Sequence, residues 1–144
     1  MIRPEGLQKQ RRRGSRLPVG TIVVDRSSRR GNPFTVEQIL LSGEAADEPE
    51  ARALAVRRYA DWLDGHGPRH LPVTKTRTVD RDWINANMHE LVGRDLACTC
   101  PVDGLPCHRD VLLARAALLE RTSAGGQLSV QPGMVATEGG GDRP

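Results

Sequence analysis

The clearest structural signal in this chain lies in residues 95 to 113, which read DLACTCPVDGLPCHRDVLL. The start of this stretch, residues 95 to 100, predicts a strand that runs directly into a Pro/Gly loop. A helix is expected from Cys107 to about Arg121, because that segment is rich enough in Leu, Val and Ala to be largely buried. A strand, a loop and a helix in this order are typical of an α/β fold with a parallel sheet.

The sequence before this stretch extends the same alternation. Residues 20 to 24, GTIVV, predict a short buried strand, and residues 51 to 63 predict a helix after an acidic linker over residues 42 to 50. A second short helix is expected around residues 84 to 91. We therefore predict a small single α/β domain over residues 18–121, with a short, mainly parallel sheet flanked by helices. An antiparallel α+β arrangement is the alternative.

Both ends of the chain differ in composition from this domain. Residues 1–17 predict a basic disordered arm, and residues 122–144 predict a flexible Gly/Pro-rich tail. Residues 1 to 30 contain nine Lys/Arg and two acidic residues, a charge of +7, whereas the remainder has a charge of −4. Such an arm can bind nucleic-acid phosphates without sequence preference. A merely solubilising terminus is the alternative interpretation.

Composition excludes several classes of protein. An aromatic content of 3% excludes an aromatic-rich recognition sheet. No stretch approaches the roughly 20 apolar residues of a membrane span, and the N-terminus lacks the apolar segment of a signal peptide. The three cysteines fall within ten positions, unlike those of a secreted disulfide scaffold. We expect a cytoplasmic protein without membrane contact.

The cysteines and the histidine beside them form a candidate site. Side chains alternate along a strand, so Cys98 and Cys100 face the same space. Cys107 and His108 begin the last helix, where Asp110 falls near the third helical position and can interact with free backbone N–H groups. A helix N-terminus also lowers the pKa of a nearby thiol. These side chains are expected to meet where the strand ends and the helix begins.

Three interpretations of this cluster stay open. Cys98, Cys100, Cys107 and His108 match the donor set of a closed tetrahedral zinc site, although their spacing is not the usual C-x2-C pattern. Alternatively, Cys107 is a reactive thiolate, with His108 and Asp110 as further catalytic residues. In the third interpretation the cysteines are ordinary small core residues.

The loop after the first strand, residues 25 to 34 (DRSSRRGNPF), is a candidate ligand-binding segment. If the strands are parallel, this loop leaves the same sheet edge as the cysteine strand. Arg26, Ser28 and backbone N–H groups could hold a phosphate, with Gly31 and Asn32 shaping the loop and Arg109 close by. Gly31 permits a positive φ, and Asn32 before proline is forced out of the helical region. A solvated basic turn is the alternative.

These two segments resemble the paired sequence blocks of the domain of unknown function 4326 family, which is found in phages and actinobacteria. The resemblance rests on RSSRRGNPF and on LACTC followed by PCHRDVL, and it covers roughly residues 20 to 120. It implies no established biochemistry. Ser27, Arg30 and Thr99 depart from the family blocks, which carry proline at the first position and tryptophan at the other two. If those rings stack on a ligand, this chain binds it differently.

These observations lead to three hypotheses about function. The first is a domain that binds or acts on a nucleotide or modified-base-type ligand at a Cys/His/Arg site. The second is a zinc-stabilised nucleic-acid-binding accessory protein. The third is a non-enzymatic phage interaction protein. The resemblance places all three in the cytoplasm of a phage-infected or actinobacterial host cell.

Overall fold

The chain alternates short strands and helices. A computed structural model describes residues 4–10, 16–100 and 102–129. Its elements in chain order are β1 (Gly6–Gln8), β2 (Ile22–Val23), α1 (Val36–Leu41), α2 (Glu48–Leu63), β3 (His70–Pro72), β4 (Thr78–Asp80), α3 (Arg81–Ala86), a 3-10 helix (Met88–Leu91), β5 (Leu96–Cys98) and α4 (His108–Ser129). The predicted helices over residues 51 to 63 and after residue 107 are confirmed. Helix α1 and the β3–β4 hairpin were not predicted.

The main sheet has three parallel strands in the order β1–β5–β2. Strand β5 is central, and Leu96, Ala97 and Cys98 are all buried. A strand covered on both faces requires a continuous apolar run, which is what this segment provides. The predicted α/β class with a short, mainly parallel sheet is therefore confirmed. Strands β3 and β4 form a separate antiparallel hairpin.

The core lies between the sheet and the helices. Tyr59 and Trp62 of α2 are fully buried against Leu96 of β5 and Leu112 of α4. Two of the few aromatic side chains in the chain thus fill the centre of the domain, where they contribute large buried areas. Asp47 caps α2, since its side chain accepts a hydrogen bond from the backbone of Glu50.

The prediction of a disordered arm is wrong for residues 6 to 8, because these residues form strand β1. Backbone hydrogen bonds attach this strand to β5, including Leu96 N–H to the Glu5 carbonyl and Lys9 N–H to the Cys98 carbonyl. Backbone pairing needs no apolar side chains, and therefore the composition of the arm did not reveal it. Gly6 matters here because a Cβ at this position would lie 2.9 Å from Nε of Arg109. Residues 1–3 and 11–15 lie outside the described residues.

The prediction of a flexible tail over residues 122–144 is wrong for residues 122–129. Helix α4 continues to Ser129, past the predicted end near residue 121. Extending an existing helix by one residue adds one hydrogen bond without a new nucleation step. Residues that favour turns can therefore still be helical when they continue an existing helix. Residues 130–144 of the predicted tail lie outside the described residues. None of the helices described is both long enough and apolar enough to cross a bilayer.

Candidate metal centre and cleft

Two thiols and an imidazole meet at the end of β5 and the start of α4. Cys98 is the last residue of β5, and Cys107 and His108 lie at the start of α4. All three are buried, and one potential ligand atom from each lies within 4.8 Å of the other two. These residues could hold a metal ion. Cys100 lies nearby on the loop after β5, where it is partly buried and lines the same cleft as these three residues.

The start of α4 fixes the position of Cys107. The Asp110 carboxylate accepts a hydrogen bond from the backbone N–H of Cys107 at 3.1 Å, as a carboxylate at the third helical position does in a capping box. This confirms the predicted placement of Asp110 at the helix start. Asp110 is exposed and does not line the cleft described below. The contact found for its carboxylate is therefore a capping contact.

The imidazole of His108 is held from two sides. Its Nε2 lies 2.5 Å from the Val24 carbonyl oxygen, and its ring meets that of Tyr59 edge to face with centroids 5.3 Å apart. A carbonyl only accepts hydrogen bonds, so the proton resides on Nε2. Nδ1 then faces Cys107 Sγ at 3.8 Å with its lone pair available in the neutral ring. Histidines that bind metals are commonly oriented by such a backbone contact.

The thiols differ in their tendency to ionise. Hydrogen bonds from Cys100 and Cys107 lower the pKa of Cys98 far below that of an ordinary thiol. The hydrogen bond to Cys100 and the one to Cys98, together with burial, raise the pKa of Cys107. The backbone N–H of Arg109 at the helix start lowers the pKa of Cys107 as expected, but the other thiols and burial outweigh this effect.

The predicted convergence of the two sequence blocks is confirmed. Strands β2 and β5 are parallel neighbours, so the loops that follow them emerge at one sheet edge. Between these loops lies a cleft of about 670 Å³. Its lining includes residues from both blocks, among them Arg26, Ser27, Asn32, Phe34, Cys98, Thr99, Cys100, Cys107 and His108.

Four lining residues with charged side chains, Lys9, Asp25, Glu48 and Arg52, were not predicted as part of the site. Lys9 and Asp25 form an ion pair with 3.1 Å between Nζ and Oδ2, and Arg52 pairs with Asp103 at 3.0 Å. Burial alone would raise the pKa of Asp25, but hydrogen bonds from Ser27 and Lys9 outweigh it and lower the pKa. Asp25 follows β2 after one intervening residue, Val24, at the same sheet edge as the cysteine loop after β5, and this position could have identified it.

Two predicted ligand residues of the first loop line the cleft. Arg26 is exposed at its edge, and none of the hydrogen bonds or ion pairs found among the described residues involves its guanidinium. Asn32 is buried, and its amide donates to the Ala55 carbonyl and accepts from the Phe34 N–H. Arg26 therefore has its charge available for a ligand, whereas Asn32 uses its amide to hold the loop in place.

The other predicted ligand residues have structural contacts. Ser28 donates to the Asp25 carbonyl at 2.7 Å within the turn. Gly31 does not use the positive φ that glycine permits. It is required because a Cβ there would lie 2.7 Å from Cα of Arg26. Arg109 is buried and donates to the carbonyls of Leu7 and Cys100, which ties β1 to the cysteine loop.

The two positions at which the resemblance predicted a missing ring have different surroundings. Arg30 is buried, with its guanidinium 4.9 Å from the centre of the Trp83 ring and hydrogen-bonded to Glu90. Arg29 covers the same ring at 3.7 Å. Arg29 and Arg30 therefore lie against Trp83 and, unlike Arg26, are not among the residues that line the cleft. Thr99, in contrast, lines the cleft.

Comparison with known proteins gives one match. The model of the family described as Domain of unknown function (DUF4326) matches residues 7–118. The match includes the last two residues of β1, which the sequence blocks alone had left out. No curated protein and no solved structure matches the chain.

Proposed function

Since the chain belongs to this family of unknown function, its chemistry has to be inferred from the site, and we propose that the domain binds zinc through Cys98, Cys100, Cys107 and His108. The supporting observation is the clustering of buried ligand atoms from Cys98, Cys107 and His108 within 4.8 Å. Tetrahedral zinc, with bonds of roughly 2.3 Å to sulfur and 2.0 Å to nitrogen, places neighbouring ligand atoms about 3.5 to 3.8 Å apart. The separation of 3.8 Å between Cys107 Sγ and His108 Nδ1 is slightly longer than the sulfur–nitrogen value of about 3.5 Å, so a small shift would bring both atoms to one metal.

The surroundings of the cluster favour a metal site over cysteines that only pack in the hydrophobic core. Core cysteines require no imidazole beside them, and the contact of Nε2 with the Val24 carbonyl orients the free nitrogen toward the sulfurs. The contacts that lower the pKa of Cys98 favour its thiolate form, which is the form that binds a cation. Soft thiolates combined with imidazole favour zinc over magnesium or calcium.

Elemental analysis tests the zinc proposal. Protein purified without chelator should contain about one zinc per chain, and Cys98→Ser and His108→Ala should lose it. His66→Ala is a matched control because His66 is an exposed histidine outside the site. A chelator should lower the melting temperature of the wild type and of the control. Absence of bound metal, together with stability that is indifferent to the chelator, would refute the proposal.

For the cleft, we propose a nucleotide-like ligand. The favouring observation is the guanidinium of Arg26, which stands at the edge of a 670 Å³ cleft with its charge available. This volume lies in the range of pockets that take small molecules and cofactors. An arginine suits phosphate because its planar group forms two parallel hydrogen bonds to the oxygens. Lys9 and the hydroxyl of Thr74 line the same cleft.

A thermal-shift screen with nucleoside mono-, di- and triphosphates tests the ligand proposal. A binding nucleotide should raise the melting temperature of the wild type, and Arg26→Gln should weaken the affinity about tenfold or more. Arg57→Gln is the matched control, since Arg57 is an exposed arginine that does not line the cleft. If the wild type responds to no nucleotide, or if Arg26→Gln responds equally, the ligand proposal is wrong.

A further inference from the structure

The thiols of the proposed zinc site are not equivalent. Cys98 and Cys107 are 3% and 2% exposed, and His108 is 5% exposed. Cys100 is only partly buried and lies on the loop after β5, where it lines the cleft. The three buried residues form a metal-binding group without it. Cys100 therefore occupies the side of the cluster that a ligand would reach.

We propose that Cys100 is an exchangeable ligand, and that the metal position it occupies can open toward the cleft and accept an oxygen atom of an anionic ligand or of water. This inference rests on the zinc proposal above. It assigns two states to the site: a closed state with three thiolates and one imidazole, and an open state with two thiolates, one imidazole and an oxygen donor. The second donor set is one of those found in catalytic zinc sites.

The anchoring of the four residues explains why Cys100 is the one to exchange. Cys98 is fixed in the central strand, and Cys107 and His108 are fixed by the start of α4. The Cys100 carbonyl accepts a hydrogen bond from Arg109 at 2.8 Å, so its backbone is also held. Exchange then requires only a rotation of the Cys100 side chain. This side chain is the most exposed of the three cysteines.

The exchange is balanced in atoms and charge. The bond between the metal and Cys100 Sγ breaks as a bond from the metal to oxygen forms. When the incoming group is water, the proton that it loses passes to the Cys100 thiolate, which becomes a thiol. Zinc lowers the pKa of bound water to about 7 in open sites, so a nucleophilic hydroxide would face the cleft. Arg26, at the edge of the same cleft, favours a ligand with phosphate or carboxylate oxygens.

Cobalt substitution tests this inference with the full chain. Wild type, Cys100→Ala, Cys100→Ser and Cys98→Ser are loaded with Co²⁺, and the visible and near-ultraviolet spectra are recorded during titration with azide. Both Cys100 variants should retain about one cobalt per chain, with near-ultraviolet thiolate absorption lower by about a third. Azide should shift their visible bands at lower concentrations than it shifts those of the wild type. Cys98→Ser should bind no cobalt.

The outcomes separate this inference from the zinc proposal. If the wild type binds no metal, the zinc proposal fails and the exchange fails with it. If the wild type binds metal but both Cys100 variants lose it, Cys100 is an obligatory ligand and only the exchange is refuted. Variants that keep cobalt with spectra insensitive to azide also refute it. Circular dichroism of each variant distinguishes a loss of metal in a folded protein from a loss of metal caused by unfolding.

Discussion

Substitution of Tyr59 by phenylalanine removes one hydroxyl and leaves the ring beside His108. The hydroxyl donates to the Arg30 carbonyl at 2.8 Å, and Tyr59 is fully buried. The variant leaves a buried carbonyl without this partner, which costs about 1 to 3 kcal/mol. For a chain of this length the melting temperature should fall by roughly 3 to 10 °C. Urea unfolding at pH 8, followed by far-ultraviolet circular dichroism, measures the free-energy difference between the two proteins.

The same pair of proteins provides a test at alkaline pH. Burial raises the pKa of Tyr59, whereas an unfolded tyrosine ionises near pH 10. Above pH 10 the unfolded wild type loses a proton that the folded protein keeps, so the stabilisation from this group declines as pH rises. By pH 11 the advantage of the wild type should be smaller by about 1.4 kcal/mol. Equal stability at pH 8, or a difference that does not change with pH, would refute the assigned hydrogen bond and burial.

Three further predictions concern the helix start, the first loop and the metal. Asp110→Ala should lower the free energy of unfolding by about 1 kcal/mol, because the contact with the Cys107 N–H is lost. The metal content should stay unchanged, and a loss of metal would contradict a capping role. Gly31→Ala should destabilise by about 1 to 3 kcal/mol, since its Cβ would lie 2.7 Å from Cα of Arg26, and an unchanged urea midpoint would argue against this packing. Dialysis against a chelator should lower the melting temperature of the wild type and leave that of His108→Ala unchanged; equal shifts would contradict metal binding at this site.

The candidate site was largely predictable because its residues follow local rules. Alternation along a strand places Cys98 and Cys100 in one space, and helix-capping rules place Asp110 beside Cys107. The shared edge of parallel strands brings Arg26 to the same cleft. Each of these inferences needs only the element type and its direction, which the hydrophobic pattern of the sequence indicates.

Other features depend on contacts that no local pattern encodes. Strand β1 is held by backbone bonds to β5 and by Arg109, more than a hundred positions away from Leu7. Gly31 is required by the close approach of the Arg26 backbone, not by its own φ. The lowered pKa of Cys98 arises from neighbouring side chains that only the folded chain brings together. Tertiary contacts therefore decided these features, and the sequence alone did not reveal them.

X-ray absorption at the zinc edge, on the wild-type protein as purified, measures the first shell of ligands directly. The zinc proposal predicts three sulfur atoms at about 2.3 Å and one nitrogen atom at about 2.0 Å. In Cys100→Ala, one sulfur should be replaced by an oxygen or nitrogen atom at about 2.0 to 2.2 Å. A first shell of only nitrogen and oxygen, or protein that contains no zinc, would contradict the assignment of Cys98, Cys100, Cys107 and His108 as the metal centre.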